Sequence, residues 1–160
     1  RLMAEGKPLT LRLVGAPDPE NPRAVPLETL EAWSRLPGVE WLGPRSDIAA
    51  VWRDADIALI PSRGGEGLPR ALLEAASSGR PIVTTEVPGC REFVRDGVEG
   101  RVVAPGSPDA LAAALSDLLA DPARRAEMGL NARKRLLDGY TETQVAGTVA
   151  SLYQRLTAAR

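Results

Sequence analysis

The sequence contains no histidine in 160 residues. That removes the usual general acid/base side chain, the usual activator of a nucleophile and the commonest metal ligand. It has one cysteine, Cys90, so no internal disulfide framework can form, which fits a reducing compartment. With no cysteine cluster either, a zinc site is not expected. Aromatic residues make up only 4%, and the formal net charge is −1, so bulk charge gives no reason to expect nucleic acid as a partner. No apolar run reaches the length of a membrane span, and nothing reads as a signal peptide. If this chain serves an enzyme, its residues are suited to binding more than to moving protons.

What is present is organised around residues 57–85, IALIPSRGGEGLPRALLEAASSGRPIVTT. Ile57–Ile60 is a short β-branched apolar run, expected of a strand buried on both faces of a parallel sheet. Pro61-Ser62-Arg63-Gly64-Gly65-Glu66-Gly67 interrupts it with glycines that let backbone approach a ligand closely. Pro69 suits the first turn of a helix that continues through Leu72, Leu73, Ala75 and Ala76 and stops at Gly79. Pro81–Thr85 is the next strand. A glycine-rich loop feeding a helix N-terminus offers free N–H groups and the positive end of a helix dipole, which suits an anion such as phosphate.

The flanking sequence repeats the alternation. Residues 1–7 read as the last turns of a helix ending at Gly6, with no start before them, so we expect a chain that begins in mid-element. Leu9–Val14 is a strand, 27–36 an amphipathic helix, Val39–Leu42 a strand and Ile48–Arg53 a helix capped by Ser46-Asp47. Beyond Thr85 come a loop into a short helix (Cys90–Gly97), a strand (Arg101–Ala104) and helices at 108–119, from Asp121 onward, and at about 142–158. The last is expected to close the chain through Val145, Val149, Leu152 and Leu156. Strands alternate with helices for roughly the first 120 residues, the pattern of a doubly wound parallel sheet. The expectation is an α/β, Rossmann-like single domain over 1–160.

Ligands of such sheets sit outside the carboxyl ends of the strands. The loops leaving those ends are 15–22, 43–46, 62–67, 86–91 and 105–107. Glu66 lies in the central loop, and Glu74 lies about a turn and a half into the helix, where side chains lean back toward the N-terminus. Both carboxylates fit vicinal hydroxyls of a ligand whose phosphate rests on the backbone, and a nucleotide sugar has both features. The plainer readings stay open: Glu66 complementing the helix dipole, and Glu74 pairing with Arg70 at i, i+4. Arg63 and Arg91 fit either phosphate contacts or solvated loop charges. Cys90 reads as a small buried thiol, the Arg/Lys run at 124–135 as the wet face of a helix, and Trp33, Trp41 and Trp52 as core or rim.

Glu66-Gly-Leu-Pro-Arg-Ala-Leu-Leu-Glu74, seven residues between two glutamates, also carries a resemblance. It is preceded by Ala55-Asp56-Ile57 and Pro61-Ser62, and followed by Gly79-Arg80-Pro81-Ile82-Val83, Pro88-Gly89-Cys90-Arg91-Glu92, Asp96-Gly97 and Asp121-Pro122. Together these resemble the C-terminal, nucleotide-sugar-binding domain of retaining glycosyltransferases of the two-domain GT-B type, family 4, group 1. The resemblance implies that Glu66 contacts the donor sugar and steadies charge at its anomeric carbon, which makes it the candidate catalytic residue. It implies that Glu74 holds ribose hydroxyls, that Gly65, Gly67 and Leu68 line the sugar and phosphate pocket, and that the amides of Arg70 and Ala71 reach the diphosphate. Gly43 and Arg45 would edge the nucleobase, with Gly15 in a neighbouring loop.

It further implies a UDP-sugar donor, no metal and no other cofactor, and a glycan or lipid-linked acceptor in bacterial polysaccharide synthesis. The acceptor would be held by an N-terminal domain not found here, which could also bring peripheral membrane association at the inner, cytoplasmic face. The family's opening strand and its Gly-Arg…Lys loop have no match, so little transfer by this chain alone is expected. A non-catalytic nucleotide or phosphosugar binding module is the rival reading. An epimerase of related architecture fits less well, since those sites rely on histidine.

Overall fold

A computed structural model describes residues 2–3, 5–22, 24–65 and 67–158. In place of the one sheet read from the sequence, its strands form two, and the chain divides into two compact units, residues 1–48 and 49–160. The reason sequence misses this is physical. An apolar period reports which residues a strand buries, not which strand it bonds to. The class itself is as expected: parallel sheets with flanking helices, Rossmann-like.

The first unit holds β1 (Leu11–Leu13), α1 (Leu27–Ser34) and β2 (Val39–Trp41). β1 and β2 pair in parallel with Leu11 opposite Val39 and Leu13 opposite Trp41. At the beginning, Gly6 has φ +75°, its N–H donates to Met3 O, and Lys7 N–H donates to Leu2 O. That is the hydrogen-bond closure of a helix end. The described residues ahead of it nevertheless form turns and no helix. α1 presents Leu27 and Trp33 to solvent, and Leu36, beyond its end, is exposed as well.

α2 (Ile48–Arg53) leads into the second unit: β3 (Ala58–Ile60), α3 (Arg70–Ser77), β4 (Ile82–Thr85), α4 (Cys90–Phe93), β5 (Gly100–Val103), α5 (Pro108–Ala120), α6 (Pro122–Gly139) and α7 (Glu142–Ala158). The strands pair in parallel in the order β3-β4-β5, and every residue of the central β4 is buried. Alternation along the strands builds two cores. Ala58 and Ile82 pack with Leu72, Ala75, Ala76, Phe93 and Val94 on one face, while Val83 packs with Ala114, Leu118 and Met128 on the other. This is the doubly wound arrangement, here confined to the second unit. Cys90 is a buried free thiol in the first of these cores, and Trp52 packs at its margin.

Two expectations need correcting. α7 buries none of its described residues, and Val145, Val149, Leu152 and Leu156 are exposed. An apolar helical stripe is a demand for a partner face, and none of the described residues supplies it. Second, the Arg/Lys run of α6 is more than a wet face. Arg125 donates to Leu118 O and Leu119 O, Arg133 to Ser77 O and Arg135 to Glu92 O. These carbonyls end α5, α3 and α4, where orphan acceptors and the negative dipole end favour a cation. Among the described residues no helix is long and apolar enough to cross a membrane.

Candidate functional site

The loop between β3 and α3 leaves the carboxyl end of the sheet, and the neighbouring strand holds it there. Thr84 Oγ1 donates to Ile60 O at 2.8 Å and Thr85 Oγ1 donates to Ser62 O. Both hydroxyls sit in fully or almost fully buried residues, so each bond also satisfies a donor that would otherwise be costly. Gly64 and Gly65 then take φ +95° and +87°, turning the chain back toward α3. From the other side, the loop after β4 presses on the same segment. A Cβ placed on Gly89, which has φ +81°, would lie 1.9 Å from Gly67 O and 3.2 Å from Leu68 N. The two loops meet backbone to backbone.

α3 starts after Pro69, with no side chain capping it. Leu72 N–H turns back to Pro69 O at 3.0 Å, while the Ala71 N–H meets no carbonyl among the described residues. Burial of Leu72, Ala75 and Ala76 fixes the helix axis, and its C-terminus closes at Gly79, φ +65°, through Gly79 N–H to Ala76 O and Arg80 N–H to Ala75 O. The helix is therefore rigidly seated with an uncapped positive end facing the glycine loop. Oriented N–H dipoles of this kind hold an anion.

Glu74 accepts from Arg70 Nε at 2.8 Å, so the i, i+4 pair is formed. The Arg70 side chain is 91% exposed, and pairs of this kind contribute about 0.3–0.5 kcal/mol, little enough to be exchanged for a ligand hydroxyl. Gly65, Gly67 and Leu68 are exposed, Ala71 and Glu74 half-buried. Arg63 and Arg91 are exposed and ion-paired with no described residue. Glu66, the expected catalytic residue, lies outside the described residues.

Gly15 and Gly43 belong to the first unit, where they meet: Gly15 N–H donates to Gly43 O at 2.9 Å and Trp41 Nε1 donates to Gly15 O. Arg45 is committed to Asp47 through Nε and Nη2, at 2.7 and 2.6 Å. That hydrogen bonding raises the Arg45 pKa and holds the Asp47 carboxyl below its ordinary 3.8. Among the described residues no three Asp, Glu or Cys side chains gather as metal ligands. Sequence reading overlooked Thr84, Thr85 and Gly89 as the residues that set the loop. Two threonines ending a buried strand, followed by Pro-Gly, were the available signal.

A family model described as glycosyl transferases group 1 matches residues 1–121. The chain belongs to this family. The group 1 chain is 34% identical over 144 residues, 90% of its length, to an N,N'-diacetylbacillosaminyl-diphospho-undecaprenol alpha-1,3-N-acetylgalactosaminyltransferase of Campylobacter jejuni. It is 34% identical over 149 residues, 89% of its length, to a D-inositol 3-phosphate glycosyltransferase of Corynebacterium glutamicum. It spans 36% and 35% of those two proteins. Among solved structures it resembles sucrose-phosphate synthase of Thermosynechococcus elongatus, with TM-score 0.84 and 27% identity, covering 94% of this chain and 39% of that one. It also resembles Anabaena HepE in complex with UDP-glucose, with TM-score 0.76 and 28% identity, covering 89% and 41%.

Proposed function

We propose that this group 1 chain is the donor-binding half of a retaining glycosyltransferase that moves a sugar from a nucleoside diphosphate to a glycan or lipid-linked acceptor. The observation that carries the proposal is the α3 N-terminus. It is uncapped, seated by a buried helix face and approached by a glycine loop held by Thr85 and Gly89. The donor diphosphate rests on the backbone of Gly67 and Leu68 and on the amides of Arg70 and Ala71, with Gly65 at the loop. Helix dipole and oriented amides stabilise the charge that grows on the leaving diphosphate, so no metal is required of the site. Glu74 exchanges Arg70 for the ribose hydroxyls, and Glu66 meets the donor sugar and steadies positive charge at its anomeric carbon.

UDP is the proposed nucleotide, supported by the likeness to a HepE structure that holds UDP-glucose. The undecaprenol-linked substrate in the Campylobacter relative's name supports a lipid-linked acceptor in cell-envelope synthesis, worked on at the cytoplasmic face of a membrane. The chain spans only about a third of such relatives, so the acceptor and turnover belong to a longer protein.

Calorimetric titration with UDP, GDP and ADP, with and without magnesium, tests this. Metal-independent binding of UDP, weakened about tenfold by Glu74→Ala, is expected, tenfold being about 1.4 kcal/mol. Absence of binding to all three nucleotides refutes the donor site. Unchanged affinity in Glu74→Ala confines Glu74 to its helix pair.

A further inference from the structure

The second unit carries a cleft that the donor site does not use. It has a volume of about 410 Å³ and is lined by Arg95, Asn131, Lys134, Arg135, Asp138 and Tyr140. Arg95 lies in the turn that enters β5, whereas the loop of the donor site leaves β3. The two strands run parallel in one sheet, so the cleft and the donor site lie at opposite ends of it.

Three of the lining side chains are cationic and one is anionic. Arg95 is answered from behind by the fully buried Glu99, which accepts from its backbone N–H, its Nε and its Nη2. Lys134 and Arg135 have no carboxylate within 4.0 Å among the described residues. Arg135 is held by its Nη2 donating to Glu92 O at 2.8 Å and by the rings of Phe93 and Tyr140, 6.0 and 5.9 Å from its guanidinium carbon. Phe93 and Tyr140 themselves meet edge to face at 5.0 Å. In that fixed pose Arg135 Nε is buried with no acceptor. Arg135 Nη1 has no hydrogen-bond partner among the described residues and, unlike Nε, is not enclosed, so the guanidinium keeps one donor open to an anion entering the cleft.

We propose that this cleft is an accessory site for a small phosphate monoester. The phosphate takes hydrogen bonds from Arg135 Nη1 and Lys134, with Asn131, whose amide now donates to Val98 O at 3.3 Å, beside it. The cleft is larger than a bare phosphate needs. Asp138 and Tyr140 also line the cleft, and their side-chain oxygens can accept hydrogen bonds from hydroxyls of an ester group.

The test is a residue-resolved NMR titration of the protein with inorganic phosphate and with a hexose 6-phosphate, ionic strength held constant with sodium chloride. Saturable shifts at the Asn131 side-chain amide and at Tyr140 are expected, about tenfold tighter for the ester. They are expected to be independent of any shift at Gly67–Ala71. Lys134→Ala, a change at an exposed position, should weaken the ester about tenfold, and Arg135→Lys, which removes the Nη1 donor but keeps the charge, by a similar factor. Absence of a saturable shift at Asn131, or wild-type affinity in Lys134→Ala, overturns the site. Equal affinity for the two probes overturns the ester assignment.

Discussion

Gly89 and Gly97 form a natural matched pair. Their φ angles are +81° and +80°, but a Cβ on Gly89 would overlap Gly67 O at 1.9 Å while one on Gly97 meets nothing within 4 Å. Both alanine substitutions carry the left-handed penalty of about 1–2 kcal/mol. Only Gly89→Ala adds overlap. Opening 1.9 Å to the 3.0 Å that Cβ contacts require means a shift of about 1.1 Å between two stretches of main chain, with no side-chain end to absorb it. Overpacking of that kind adds about 1–3 kcal/mol, so losses of about 1–2 kcal/mol for Gly97→Ala and about 2–5 kcal/mol for Gly89→Ala follow. Urea denaturation of both variants measures the difference. A nucleotide titration at conditions where both remain folded measures the functional part. Gly97→Ala should bind UDP as the parent does, and Gly89→Ala should lose about tenfold or more, because the displaced atoms are those of the proposed phosphate cradle. Equal stability losses in the two variants would show that the loops are not in contact. Equal affinities would show that the contact does not shape the site.

Asp47 titrates below 3.8 because Arg45 donates to it, so its pairing stabilises the fold above that pH and is lost as pH falls through the lowered value. Arg45→Ala should return the Asp47 midpoint to about 3.8 in a carboxyl-carbon NMR titration, and an unmoved midpoint refutes the assignment. Phe93 is fully buried in the core formed with Leu72 and Ile82, so Phe93→Ala should cost about 3–5 kcal/mol in denaturant unfolding. A loss below about 1 kcal/mol would mean that the core collapses around the gap or that Phe93 is not within it.

The local grammar was legible. Ile48–Arg53 and the start of the last helix at Glu142 were read from sequence as they stand, and Gly79 ends α3 as its position in the pattern requires. The anion-binding end of α3 was equally visible, because proline, glycine and a buried apolar face each have a short-range signature. Contacts between distant residues were not. Nothing in Pro88-Gly89 by itself says that it lies on Gly67, and nothing in β1 or β3 says that no described strand joins them in one ladder. Glu74 shows the limit most clearly. Its spacing from Arg70 and its place in the family motif permit two partners, and the structure holds the one within the helix.

The arginines of α6 also impose an order in time. A chain made from its N-terminus completes α3 at Ser77 and α4 at Phe93, yet the guanidinium groups that receive Ser77 O and Glu92 O lie 56 and 43 residues further on. Those helix ends must wait on water until α6 emerges, whereas the carbonyls of α5 meet Arg125 only six or seven residues later. The charged stretch that composition marks as most dispensable thus arrives after every strand of the second unit and closes three helices. A chain cut before Arg133 lacks the donor to Ser77 O even though every strand of the second unit is already present.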